Sequence, residues 1–139
     1  DGGAMKDNQF SKRGQSLVEF ALILPLLILI MVMIFDLGRA VFYYTVIYNA
    51  ARDGARYGII DNTAGVGCAT PDTAGIEAEV RARAVGLDPD DLTILSDCDG
   101  IKIVIYVSYE FEPVTPLVSS FLEDGKITIE STSSMYVEG

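Results

Sequence analysis

Three groups of side chains in this sequence could do chemistry. Glu19 is an ionisable residue standing directly before residues 20–35, a run of sixteen with no charge. A carboxylate at the edge of such a run is costly unless it is paired, so it calls for a cation or an amine. Cys68 and Cys98 are the only two cysteines. They are too few for a four-cysteine metal site and have no Cys-x-x-Cys spacing, so in an exported segment they read as a disulfide. Asp88, Asp90, Asp91, Asp97 and Asp99 crowd the stretch before Gly100, where clustered carboxylates could ligate calcium. Setting Gly100 at the EF-hand glycine puts Leu95 first and Tyr106 last. Neither is an acid, so that motif fails and solvated turns are the plainer reading. Glu110 and Glu112 share a strand face, and Glu77 and Arg81 a helix face; both pairs read as solvated surface.

Composition removes other chemistry. The 139 residues include no His, which excludes His-dependent nucleophile systems and His-ligated zinc sites. No Gly-x-Gly-x-x-Gly and no Walker loop is present. The sequence therefore reads as non-enzymatic, with no cofactor and no metal. Twenty acids against ten bases give a net charge of −10, distributed unevenly. Residues 1–14 carry three bases against two acids, and residues 15–56 balance three against three. Residues 57–139 hold fifteen acids and four bases, a net of −11. An acidic head without a basic stripe cannot neutralise phosphates, which argues against nucleic acid as a partner.

The apolar run needs an explanation of its own. Residues 20–35 are apolar on every helical face, and Leu17 and Val18 extend them toward the roughly 20 residues of a membrane helix. A cleaved signal peptide is the first rival and a buried soluble helix the second. The run is long for a signal core, and no Ala-x-Ala site follows it. Lys6, Lys12 and Arg13 precede the run and place the N-terminus in the cytoplasm, with the acidic head outside. The helical pattern continues through Tyr43, Tyr44, Ile47, Tyr48, Ala51 and Ala55, and Gly58 is the first clear exit. A helix over about residues 15–57 follows, roughly 60 Å long, with Pro25 expected to kink or open it. Asp36 and Arg39 can pair three apart on one face. Gly38, Gly54 and the nearby alanines allow close approach of another helix, or of the chain's own head.

Three parts result: a basic leader-like segment at 1–14, a hydrophobic assembly helix at 15–57 and an acidic extracytoplasmic head at 58–139. In the head, residues 61–75 read as loop and 76–85 as a short helix with Ile76, Val80 and Ala84 inward. Leu92 to Leu95 reads as a short strand. Residues 101–111 and 127–137 alternate as two long strands. Pro113 and Pro116 end the first of these, and a turn of helix is expected over 117–122. The fold class is α+β, with a long N-terminal helix packed on an antiparallel sheet and a short helix.

One stretch is more specific than these patterns. Lys12-Arg13-Gly14-Gln15-Ser16-Leu17-Val18-Glu19-Phe20, followed at once by the apolar run, resembles a type IV prepilin processing site. Together with the step Asp36-Leu37-Gly38-Arg39 and the stretch Ala50-Ala51-Arg52-Asp53-Gly54-Ala55-Arg56-Tyr57, it resembles the TadE family, pilin-like proteins of Tad pilus systems. The resemblance implies leader removal between Gly14 and Gln15 by a prepilin peptidase and export by the Tad assembly machinery. It also implies that Glu19 pairs with the new N-terminal amine of a neighbour. The reading that follows is a pilin subunit, anchored in the membrane before assembly. It polymerises with identical subunits through Phe20, Pro25, Leu27 and their neighbours into an extracellular filament. Adhesion and surface motility are the roles the resemblance suggests. Two alternatives stand beside it: a minor pilin that primes or caps another protein's fibre, and a membrane-anchored binding head that never polymerises.

Overall fold

The structure is a computed structural model describing residues 8–60, 71–120, 122 and 124–137, with the side chains of residues 8–13 and 117 outside that description. Its first element, helix α1 (Asn8–Ile60), runs 53 residues and contains Pro25. At 1.5 Å per residue that is about 80 Å. Its two halves have different surroundings. Over residues 20–35 the large apolar side chains are mostly bare, up to 74 % exposed at Leu22. Further along, one face turns into the head, and Ile47, Ala50, Ala51 and Ala55 are completely buried.

The head follows in the order α2 (Thr73–Arg83), a 3-10 turn (Pro89–Asp91), β1 (Leu92–Asp99), β2 (Lys102–Phe111), α3 (Pro116–Ser119) and β3 (Ile127–Tyr136). The Asp72 carboxylate caps α2 by accepting from the Gly75 N–H at 3.0 Å. Ion pairs Glu77–Arg81 and Glu79–Arg83, each at 2.9 Å, support its outer face. Ile76, Val80 and Ala84 face inward as their spacing predicts. The chain turns after α2 at Gly86, whose φ of +84° suits a residue without Cβ.

The three strands form an antiparallel meander in the order β1-β2-β3. Leu92 stands opposite Tyr109, and Phe111 opposite Ile127. Strand β2 is central and carries the core face: Ile103, Ile105, Val107, Tyr109 and Phe111 are all buried. That face packs on α1, whose Tyr43 ring meets Tyr109 at 5.0 Å and Phe111 at 5.5 Å, edge to face. A long apolar helix, a short helix and this sheet make the α+β fold that the alternation predicts.

Several boundaries differ from the sequence reading: α2 starts at Thr73, inside the expected loop, and ends at Arg83, and α3 is the single turn Pro116–Ser119. Helix α1 begins at Asn8, inside the leader-like segment, and passes Gly58 to reach Ile60. Gly58 is not a stop signal: a Cβ there would lie 3.0 Å from Ile76 and 3.1 Å from Ile103, so the glycine lets the head approach. Strand β1 runs to Asp99, not Leu95. Its alternation of buried and exposed positions absorbs Asp97 and Asp99 on the wet side, so that part of the acid-rich stretch is strand and not turn. Asp88 is a turn cap, accepting from the Asp90 N–H at 3.1 Å. Cys98 lies near the end of β1, and Cys68 falls outside the described residues, so the expected bridge does too.

The small residues of α1 divide by role. A methyl at Gly54 would collide with Val80 of α2, whereas one at Gly38 would meet nothing within 4 Å among the described residues. Gly54→Ala should therefore destabilise the head by about 1–3 kcal/mol through overpacking. Gly38→Ala should be neutral or stabilise by about 0.5–1 kcal/mol through helix propensity. Thermal melts of the two variants in detergent check the contrast.

Candidate assembly site

The candidate residues line up along the bare half of α1. The peptide between Gly14 and Gln15 lies in exposed helix, and among the described residues no atom outside the local helix backbone approaches the Gly14 Cβ position within 4 Å. One turn on, the Gln15 side-chain amide donates to the Glu19 carboxylate at 3.3 Å. That bond joins residues i and i+4 of one chain; it is not the bond to a neighbour's amine that the resemblance implies. Phe20 is 62 % exposed and Leu27 52 %. Pro25 lies between them within continuous helix. By length and composition, Gly14–Ile60 contains a segment able to cross a membrane, and none of its most apolar window is buried by the head.

The bare half ends at Asp36, the first residue past the apolar run. Its carboxylate is buried and receives three hydrogen bonds from the loop between β2 and α3. The Val114 N–H donates to Oδ1 at 3.0 Å, and the Thr115 N–H to Oδ2 at 2.8 Å. The Thr115 hydroxyl donates to Oδ2 at 2.5 Å, and Thr115 is itself completely buried. Arg39 stands 3.7 Å from the carboxylate, as the i,i+3 spacing predicts. Its guanidinium also lies 5.3 Å from the centre of the Phe111 ring and donates to the Tyr43 hydroxyl at 3.2 Å. One acid thus fixes the lower edge of the head to the helix.

Sequence reasoning found the Asp36–Arg39 pair and missed the capture of Asp36 by residues 78 and 79 positions away. The available signal was Pro113-Val114-Thr115-Pro116. Two prolines break the strand there and leave two backbone N–H groups without ladder partners. Among the described residues, no group of three or more His, Cys, Asp or Glu side chains is placed to hold a metal ion. Asp91 and Glu110 instead share Lys126, at 2.8 and 3.2 Å, which ties the 3-10 turn to β2.

A long apolar helix half covered by a three-stranded meander and a short helix is a pilin-like α+β architecture. Residues 14–56 match the family model described as TadE-like protein. The match spans the Gly14 junction, Glu19, the apolar run, Asp36 and the small residues under the head. It agrees with the resemblance read from the sequence. No curated protein and no solved structure gave a match.

The Asp36 lock has a pH signature. Burial alone would push its carboxyl up, but the bonds from Thr115 and Val114 and the charge of Arg39 outweigh burial and hold it below the ordinary value. Its contribution to stability is therefore complete above about pH 4 and is lost as pH falls through the lower native value. Asp36→Asn should cost about 1.5–3 kcal/mol near neutrality. The gap between its melting temperature and that of the unsubstituted chain should narrow toward pH 3. A gap that stays constant with pH would remove the ionised lock.

Proposed function

We propose that this chain is a pilin subunit, which waits in the membrane and then polymerises into a Tad pilus through the bare half of α1. The observation that carries the reading is an apolar run, residues 20–35, whose large side chains are mostly exposed, joined by the Asp36 lock to a head whose composition is strongly acidic. A membrane or a bundle of like helices covers such a surface, and water does not. The basic residues before the helix favour an N-terminus in the cytoplasm and a head outside. In the fibre, contacts that do not close into a ring extend indefinitely along a helix.

Processing belongs to the same proposal. A prepilin peptidase cuts between Gly14 and Gln15, and the new amine of one subunit reaches Glu19 of another. In a dry helix bundle that carboxylate needs such a cation. The exposed junction at Gly14 supports access for the enzyme. A bridge between Cys68 and Cys98 closes about 30 residues and stabilises the head by roughly 3–4 kcal/mol. The role is structural, with no reaction of its own; adhesion and surface motility are what the fibre would serve.

Two measurements test this. The intact mass of subunits from native fibres should correspond to residues 15–139, lighter by two hydrogens than the reduced chain. A mass retaining Lys12, Arg13 and Gly14 would contradict the processing step. Leu27→Asp should abolish fibres, because a charge at mid-run costs about 2.5–3.5 kcal/mol in an apolar surround, while the head stays folded. Normal fibres from this variant would reduce the helix to a mere anchor.

A further inference from the structure

We infer that α1 carries one defined pairing seam, running past the membrane and alongside the head, and that its occupant is the same helix of a second copy of this chain. The inference rests on the polymer reading above and assigns the face by which two copies pair in the membrane, before the fibre's own non-closing contacts form.

The seam is a spacing and an exposure that coincide. In the run, Phe20, Ile23, Leu27, Ile30 and Ile34 follow one another by steps of three, four, three and four. The same alternation continues through Leu37, Val41, Tyr44 and Tyr48. Steps of three and four average 3.5, the period of helices that wind around each other left-handedly. Every position in the series is exposed, from 42 % at Tyr48 to 66 % at Leu37. The next position, Ala51, is completely buried under the head, so the seam ends there. A straight helix drifts by about 20° per heptad against a 3.5 repeat, so keeping the series in contact requires the partner to supercoil with it.

The upper part identifies the occupant. An apolar bilayer core of about 30 Å takes up about 20 helical residues, which from Leu17 ends near Asp36. Lipid chains can cover Phe20 to Ile34, but they do not reach Leu37, Val41, Tyr44 and Tyr48. The head does not cover them either: it sits on the side of Ala40, Tyr43 and Ile47. The Tyr44 and Tyr48 rings stack with centroids 6.3 Å apart, so two large, half-exposed aromatic side chains stand together in what would otherwise be water.

Charge and area favour a second copy. Residues 57–139 carry a net of −11, so two heads repel, whereas residues 15–56 balance three acids with three bases and approach freely. Nine side chains of this size, each about half exposed, offer roughly 800 Å² from one chain, the usual share of one partner in a stable interface. Midway along the seam, Ile30, Ile34 and Leu37 themselves form one wall of a cavity of about 460 Å³, whose other wall includes Phe111 and Pro113 of the head. A helix seated on the seam lies against this hollow.

Single cysteines placed in the full chain test the seam in cell membranes, before any fibre forms. After mild oxidation, Val41→Cys, Tyr44→Cys and Tyr48→Cys should yield covalent dimers more than about tenfold above Phe42→Cys and Asn49→Cys, since a disulfide needs Cα atoms within about 7 Å. Phe42 and Asn49 are equally exposed but lie off the seam. The unsubstituted chain sets the background from Cys68 and Cys98, and resistance of the head to protease shows that each variant is folded. Equal dimers from Phe42→Cys and Asn49→Cys would overturn the seam, as would none from the three seam positions in a chain that still builds fibres. A cross-linked band whose mass is not twice that of the chain would overturn the second copy as occupant. Seam dimers in cells that build no fibre would uphold the pairing while sinking the polymer.

Discussion

Water excludes the surface that α1 presents over residues 20–35, and the other features of the chain answer to that constraint. An apolar girdle with no wet face has two stable homes, lipid and a bundle of other helices. Each makes demands at the ends. At the lower end, Glu19 and Gln15 form the last polar step before the run, with the carboxylate already engaged by the side chain one turn away. At the upper end the head begins to take over the cover, from Met33 beside the hollow under Phe111 and Pro113 to the captured Asp36.

Above Asp36 the helix belongs to the head. Alanines and glycines at positions 50, 51, 54, 55 and 58 let α2 and β2 come close, and Tyr43 fills the space between Tyr109 and Phe111. Asp36 closes the lower edge with three hydrogen bonds to one loop. Packing holds the upper helix, and a buried charge fixes the register at the boundary. On the account proposed here, a subunit moving from membrane to fibre exchanges the cover of its girdle and keeps this lock intact.

Periodic features were legible in the sequence and long-range ones were not. The apolar run, the inward face of α2 and the long alternating strands rest on local spacing, which a single sequence displays directly. The extent of β1 was hidden because Asp97 and Asp99 suggest turns; pairing with β2 overrides that preference and turns both acids to solvent. Gly58 suggested a helix end, and its real purpose depends on Ile76 and Ile103, which lie far along the chain. The Asp36–Thr115 contact joins residues 79 positions apart, and no spacing rule reaches that far. The Gly14, Gln15 and Glu19 pattern was legible as a motif and geometrically undemanding, since these residues lie on an exposed helix where only a partner would make them specific.

The most direct measurement is a helical reconstruction, by electron cryo-microscopy, of fibres from cells that express this chain, with the subunit identified from side-chain density. The account predicts fibres built of this chain alone, with residues 20–35 enclosed by the same residues of neighbouring copies and the acidic heads outward. Fibres composed of another protein, with this chain at one end or left in the membrane, would contradict it.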